Sequence, residues 1–575
     1  MPASQTKQSA EADLPIYTNF RYPFPGRFSN LSTYVPTFKN PTGVFRALLN
    51  LPEKWQEDRE NNDLILLLHG AGPGVEVFVN GKRLGYHTDS MTEHEYLIPT
   101  ECVPEDGNKD ILLCLRIFKY CSGSYMEDQD QWWLTGIHRN VELQLRPKTA
   151  IWDMDIRASY AAARVEISCE LVFDEVSMKE TEKDKRYFVR ATLFESSSSP
   201  LETLLLPCQI LPKSSSSKMQ HRKQPVNFEM NWDDDEKRFC GIARGSMFVL
   251  PKERIEPWTA ESPRLYSLVL ELVKSANENE QEFVSQVEIV RVGFRDIRMN
   301  PEKFGQFEIN NERIVFRGVN RHEFSPHRGK VLTEESMIAD ILQMKRFNFN
   351  AVRNCHYPNN HRWYELCDYY GLYVLDEANI ETHGFVLGGA ISLIQFDERF
   401  LDSFLYRCQS MVYRSRLHPS VICWSLGNES GFGPNSYECS RLIRALDDER
   451  PVVYEGGSKA GVPLLFGDGR NPVSDFIIPM YHSPSVIYSY KQESMERFAP
   501  VVLCEYGHCM GNSGGNLHEY WDLFWRNSVW QGGFIWDWVD QGIAFSPPSI
   551  PTSQSLSSVP SSSNLNPSHI SSTSN

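Results

Sequence analysis

The sequence is short of positive charge. It carries 58 Lys and Arg against 74 Asp and Glu, a net charge of −16. A nucleic-acid surface needs clustered cations to displace counterions, and an anionic membrane surface asks for the same, so neither is expected as a partner. Long apolar runs are also lacking. The N-terminus, MPASQTKQSAEADLP, has no apolar core, and no stretch is long enough to span a bilayer. Among 13 cysteines there is no CxxC pair and no regular spacing, which excludes zinc ribbons and a disulfide framework. Cys114, Cys423 and Cys504 lie inside apolar, strand-like runs and read as small buried hydrophobes, in keeping with a reducing compartment. Finally, there is no phosphate-binding loop. The GAGPG at 70–74 runs straight into a strand pattern where such a loop would need a helix.

The sequence is well supplied with aromatics. They make up 12% of residues, with 13 Trp, enough to fill β-rich cores and to leave flat faces over for stacking on sugar C–H surfaces. A length of 575 residues allows three or four domains. Residues 1–14 are polar and read as disordered. Residues 15–147 read as all-β, with the run VEVFVNGKRLGY folding back at Asn80-Gly81. Residues 148–297 show a second set of short alternating strands, the pattern of an immunoglobulin-like sandwich. A Ser-rich, partly basic segment at about 195–226 reads as a solvated loop insertion.

From about residue 312 the pattern changes to strands alternating with helices. Ile338, Ile341, Leu342 and Lys345 follow helical spacing, with Thr333 as N-cap. Eight strand candidates follow: IVFRGVN, NAVRN, LYVLDEA, VICWSLGN, PVVYEG, DFIIPMY, PVVLCEY and GGFIWDW. Eight such units predict a (β/α)₈ barrel over 298–543, whose site lies at the C-terminal strand ends. Those ends carry Asn320 to Glu323, Arg353 to His356, Glu377 to Glu381, Asn428-Glu429, Glu455, Tyr481, Glu505 to His508, and Trp536-Asp537. The tail at 544–575 is nearly all Ser, Pro, Asn and Thr and reads as disordered.

Glu429 closes the fourth strand and Glu505 the seventh, on opposite sides of the barrel mouth. Glycoside hydrolysis needs such a pair, one carboxyl to protonate the leaving oxygen and one carboxylate to attack or to activate water. A separation of about 5–5.5 Å would make the reaction retaining. The plainer alternative is a pair of structural partners for buried arginines. Glu381 and His383 in NIETHG mix oxygen and nitrogen donors in the way Mg²⁺ or Mn²⁺ prefers, although two residues alone are a weak metal signal. His322, His356 and His508 are too far apart in sequence for a local metal motif and read as hydrogen-bonding groups for sugar hydroxyls. Trp536 offers either a stacking face or a barrel plug. Asn428-Glu429-Ser430 is also a glycosylation sequon; a glycan there would block the site, so a cytoplasmic location is expected.

Ten blocks in order, among them SYMEDQDQWW, RGVNRHEFSPHRG, GLYVLDEANIETHG, HPSVICWSLGNESGFG, LCEYGHCMGNSGGN and QGGFIWDWVDQG, make residues 15–543 resemble glycoside hydrolase family 2, and within it the large bacterial-type β-galactosidases. The resemblance implies a jelly-roll sugar-binding-like domain, an immunoglobulin-like domain and the barrel. It implies retaining β-galactoside hydrolysis, with Glu429 as acid/base and Glu505 as nucleophile. It implies Mg²⁺ on Glu381, His383 and Glu429, and a Na⁺ or K⁺ ion at Asp130. Asn19, Asp130, His322, His356, Asn428, Tyr481, His508 and Trp536 match sugar-contacting or transition-state positions. Two departures are Phe432, where the family usually has His, and Gly507, where it has Ala. The resemblance also implies a last barrel helix and two more β domains, which this sequence replaces with its Ser/Pro tail. A barrel incomplete at its last helix is therefore expected, with a metastable or partner-dependent chain as a consequence. The rival expectation is a truncated, non-catalytic sugar-binding remnant. Relatives form homo-oligomers, partly through the regions replaced here.

Overall fold

Strict apolar/polar alternation in the first 300 residues becomes antiparallel sheet, because a period of two puts all the apolar side chains on one face. The structure, a computed structural model, describes residues 15–24, 34–103, 110–184, 187–196, 199–210, 239–275, 282–303, 305–387, 391–458, 473–489 and 499–545. The expected disorder of 1–14 and of the tail beyond 545 lies outside these residues. The tail's first residues are described: the Ala544 N–H donates to the Pro326 carbonyl at 2.8 Å.

The first unit packs a four-stranded sheet, in the order Thr42–Asn50, Asp110–Phe118, Gly74–Val79, Lys82–His87, over a three-stranded one, Val141–Pro147, Asn62–Leu68, His94–Leu97. Leu64, Leu66, Val75, Val77, Ile111 and Leu113 fill the space between them. Asn80 and Gly81 both have positive φ, 47° and 84°, which is what a two-residue hairpin turn with the strands' own twist requires.

The second unit is a sandwich of two four-stranded antiparallel sheets. One runs Ala150–Ser159, Arg164–Phe173, Phe239–Phe248, Gln209–Ile210. The other runs Ser199–Pro207, Tyr187–Ser196, Tyr266–Lys274, Phe283–Val292. This corrects the loop expected at 195–226. Ser199–Pro207 is an edge strand paired with Tyr187–Ser196, and it inserts Leu201 and Leu206 into the core. The serine runs near it masked a leucine-rich stretch. Residues 211–226 lie outside the described residues.

The third unit is the barrel. Its strands are Phe316–Arg321, Ala351–Asn354, Tyr373–Glu377, Val421–Ser425, Val452–Val453, Val501–Tyr506 and Trp530–Ile535, all parallel and neighbours in one seven-stranded sheet. The sixth stave, 475–480, joins through single bridges, Ile477 to Val501 and Met480 to Glu505. On its other side the Asp475 N–H donates to the Val452 carbonyl at 2.7 Å, which closes the ring. Most of these strands are buried throughout, because helices cover one face and the barrel interior the other. Phe307, Phe316, Phe476 and Phe534 fill the lower interior, each ring contributing ~1.5–3 kcal/mol of burial. Gly318 leaves room for this packing: a Cβ there would lie 2.3 Å from the Phe534 ring.

Five helices of the barrel are Glu334–Arg346, His361–Tyr370, Leu401–Ser415, Pro434–Leu446 and Leu517–Arg526. Thr333 caps the first, accepting from the Ser336 N–H. The buried face of that helix is Met337, Ile341 and Met344, not the set expected from spacing, and Leu342 is exposed. Methionines one position away compete for the same stripe, and the sheet beneath decides between them. Cys423 and Cys504 are buried as expected, whereas Cys114 is only half-buried.

Candidate active site

The C-terminal ends of the barrel strands converge on Arg353, the last but one residue of the second strand, which is almost fully buried. Its guanidinium makes five hydrogen bonds to four side chains. Two go to Glu377, at 2.8 and 3.0 Å, and one each to Glu505 Oε1 at 2.8 Å, Asn428 Oδ1 at 2.8 Å and Asn320 Oδ1 at 3.0 Å. These partners come from the third, seventh, fourth and first strand ends. A planar fork of donors is the one side chain that can tie so many strand ends together. Burial works against charge on both Glu377 and Arg353, but each holds the other ionised: Glu377 stays below the usual carboxylate range and Arg353 well above its own.

Glu505 is buried, and both of its oxygens are held. Arg353 donates to Oε1, and the Tyr481 hydroxyl donates to Oε2 at 2.6 Å. Burial, then the Glu505 charge, pushes the Tyr481 phenol far up, so it remains a donor. Glu429 is different. It is about a third exposed, has φ = 36°, and faces His383, whose Nδ1 lies 3.1 Å from Oε2. The Glu429 carboxylate so close by raises the His383 pKa, against the pull of its own burial.

Glu381, His383 and Glu429 each bring one ligand atom into a group whose atoms lie within 4.8 Å of one another. Glu381 is fully buried, and among the described residues neither of its carboxylate oxygens has a well-formed hydrogen bond, although the Asn428 side chain lies beside it. Burial, then the neighbouring Glu429, drives its pKa well above the carboxylate range. A buried carboxylate beside a second carboxylate and an imidazole fits a hard divalent cation.

The three histidines are not as scattered as their sequence positions imply. His322 and His356 come together with Cys355, again within 4.8 Å, because the first two strands are neighbours in the barrel. The Cys355 thiol in this group is fully buried, and burial pushes its pKa far up. His356 Nδ1 is 2.8 Å from Glu377 Oε1, and its ring stacks on Trp536 at 5.2 Å with planes 10° apart. His322 packs edge-on to Trp536 at 5.6 Å, and His508 lies 6.5 Å from the same ring. Trp536 is half-buried and stands one residue beyond the eighth strand.

The first unit reaches this mouth. Asp130 accepts a hydrogen bond from Tyr17, and Phe20 lies 5.8 Å from the His383 ring. Asn19, between them in sequence, is exposed. The backbone of 126–128 runs alongside Glu381: the Glu381 N–H donates to the Met126 carbonyl at 2.8 Å, and the Asp128 N–H to the Glu381 carbonyl at 3.0 Å. Four residues of the cluster were not singled out from sequence: Asn320, Arg353, Glu377 and Asp128. The first three stand at strand ends already identified as site-forming, which was the available signal. Asp128 had only its place two residues before Asp130.

Two family patterns match. The one described as glycosyl hydrolases family 2, sugar binding domain, covers residues 1–147, and the one described as glycosyl hydrolases family 2, TIM barrel domain, covers 302–556. The chain belongs to glycosyl hydrolase family 2. Among its family-2 relatives, a protein of Photobacterium profundum called beta-galactosidase is 36% identical over 544 residues, 92% of this chain and 46% of the relative. One of Oenococcus oeni, also called beta-galactosidase, is 35% identical over 559 residues, 94% of this chain and 48% of the relative. The chain thus spans about half the length of these relatives. A β-glucuronidase structure from Bifidobacterium dentium superposes with a TM-score of 0.65 at 17% identity, over 86% of this chain and 82% of that one. The Dictyoglomus thermophilum β-D-glucuronidase gives 0.63 at 18%, over 88% and 85%. At such identities these structures speak to the fold alone.

Proposed function

We propose that this chain is a retaining β-galactosidase, hydrolysing terminal β-D-galactose from β-galactosides such as lactose. The observation that carries the reading is the asymmetry of the two carboxyl groups. Glu505 is buried with a donor on each oxygen, the setting of a nucleophile held in place, whereas Glu429 is part-exposed and faces His383. Glu505 would attack the anomeric carbon while Glu429 protonates the departing oxygen. Glu429 would then take a proton from water, which releases galactose from the covalent intermediate. His322, His356, Asn428, His508 and Trp536 would orient the sugar, together with Tyr481, which also holds the nucleophile. Asn19 and Asp130 would approach from the first domain. The choice of galactose rests on the names of the 35–36% identical relatives.

Glu381, His383 and Glu429 would hold Mg²⁺ or Mn²⁺. When bound, such an ion supplies positive charge against the paired carboxylates. A monovalent ion, Na⁺ or K⁺, would sit at Asp130. All thirteen cysteines are unpaired, which supports a reducing, cytoplasmic setting. A second reading, a partner-dependent sugar-binding chain, is favoured by Trp525 and Phe545, which stand 59% and 81% exposed near the last barrel strand.

The test is release of the aryl group from an aryl β-galactoside by the full chain, with and without Mg²⁺. Turnover is expected, with Glu505→Gln reducing it at least 10³-fold while the melting temperature holds. Sugar binding by calorimetry without turnover would move the conclusion to the second reading. Turnover within tenfold of wild type in Glu505→Gln would refute the nucleophile assignment.

A further inference from the structure

The carboxylate of Asp128 is not used by the reaction described above. It belongs to the first domain, yet it is buried against the barrel's candidate cation group. Its side chain is fully buried. Oδ2 accepts the Gly384 N–H at 2.8 Å, one residue on from His383, while Oδ1 has no hydrogen-bond partner among the described residues. An unpaired oxygen in that position is costly unless something fills its lone pairs.

The backbone explains why it is there. Asp128 donates its N–H to the Glu381 carbonyl, Glu381 donates to Met126, and Asn428 donates to Ile380 at 2.9 Å. Three short chain segments therefore lie side by side, and they carry Asp128, Glu381 and Glu429 into one neighbourhood. The charges interact: Glu381 and His383 both feel Asp128. Among the described residues no Lys or Arg pairs with Asp128 or Glu381. The buried guanidiniums nearby are committed elsewhere, Arg353 to Glu377 and Glu505, Arg407 to Glu127 and Asp89. Two buried carboxylates, with three oxygens between them that lack a well-formed hydrogen bond among the described residues, beside an imidazole and a third carboxylate, call for a cation of higher charge.

We infer that Asp128 is a further member of the cation site, acting through a water on the metal, and that a bound divalent ion therefore clasps the first domain to the barrel. Asp128 is not among the residues whose ligand atoms lie within 4.8 Å of one another, which favours a contact made through water over a direct one. Mg²⁺ keeps several of its waters and is held in part through them, which suits a carboxylate at that remove.

The proposal needs the cation of the preceding reading but not hydrolysis, so its test is run without sugar. Mn²⁺ and Mg²⁺ are titrated calorimetrically into the full chain and into Asp128→Asn and Glu381→Gln, each checked for native near-ultraviolet dichroism. Glu381→Gln is expected to abolish binding, and Asp128→Asn to weaken it about 10–100-fold. Amide exchange gives the second measurement, on wild type alone should the variant not fold. Saturating Mn²⁺ is expected to slow exchange in residues 121–131 of the first domain as well as around 378–387 of the barrel. Asp128→Asn binding within twofold of wild type would overturn the proposal. So would protection confined to the barrel segment, or a wild-type chain that binds neither ion. A chain that binds Mn²⁺ in this way but hydrolyses nothing would leave the inference standing and the glycosidase reading in doubt.

Discussion

Arg353→Met should be among the most destabilising single changes in the barrel, and the structure says by how much. The substitution removes five hydrogen bonds, two of them to a Glu377 carboxylate that is 0% exposed. Surface pairs are worth little, but breaking a buried pair leaves an uncompensated charge and costs about 3–5 kcal/mol. Against a net stability of ~5–15 kcal/mol, that is a large fraction. For a unit of barrel size it corresponds to a fall in melting temperature of about 6–20 °C. The penalty belongs to the stranded charge more than to the lost contacts, so Arg353→Met/Glu377→Gln should recover most of it. Calorimetric melting of the wild type, both single variants and the double variant completes the cycle. If Arg353→Met melted within about 2 °C of wild type, or if the double variant were no better than the worse single one, a charge-locked hub would be the wrong account.

The first domain should lose stability in acid. His94 is buried neutral, with Nδ1 3.1 Å from the Tyr406 hydroxyl and Nε2 3.0 Å from the Asp89 carbonyl, and burial pulls its pKa from 6.5 to about 4. The unfolded chain takes up the proton first, so roughly 3 kcal/mol of stability present above pH 6.5 drains away as pH falls towards 4. His87, stacked on it at 3.7 Å and lowered further, acts in the same direction. A melting temperature flat between pH 7 and pH 4.5 would contradict this. Gly371→Ala should destabilise the barrel by more than ~1 kcal/mol, since Gly371 ends its helix at φ = 81° and a Cβ would meet the Ala260 carbonyl oxygen at 2.3 Å; a neutral effect in urea titration would refute it. Tyr481→Phe removes the donor on Glu505 Oε2 and should lower kcat about 10²-fold or more with the fold intact; unchanged kcat would detach Tyr481 from the reaction.

The parts of this protein legible in sequence are those whose signal is local. Seven barrel strands read as short apolar runs because they are buried on both faces, and the Asn80-Gly81 hairpin reads because its φ values demand those residues. Glu429 and Glu505 stood out because a strand end fixes where a carboxylate points. What sequence could not rank was competition between neighbours. Leu342 and Met344 both fit an apolar stripe, and the leucines of Ser199–Pro207 stood between serine runs.

Tertiary structure alone decided what happens between the strand ends. Arg353 is one cation in a strand until the closed barrel brings Asn320, Glu377, Asn428 and Glu505 within reach of its five donors. His322 and His356 are 34 positions apart until adjacent parallel strands set them beside one Trp536 ring. Asp128 and Glu381 lie in different domains until backbone hydrogen bonds align them. The sequence by itself determined the kinds of element and which end of the barrel holds the chemistry, because backbone geometry and burial act over a few residues. The pairing of charges was left to the fold, because attraction between buried groups depends on distance in space and on the exclusion of water, and neither is written at any one position.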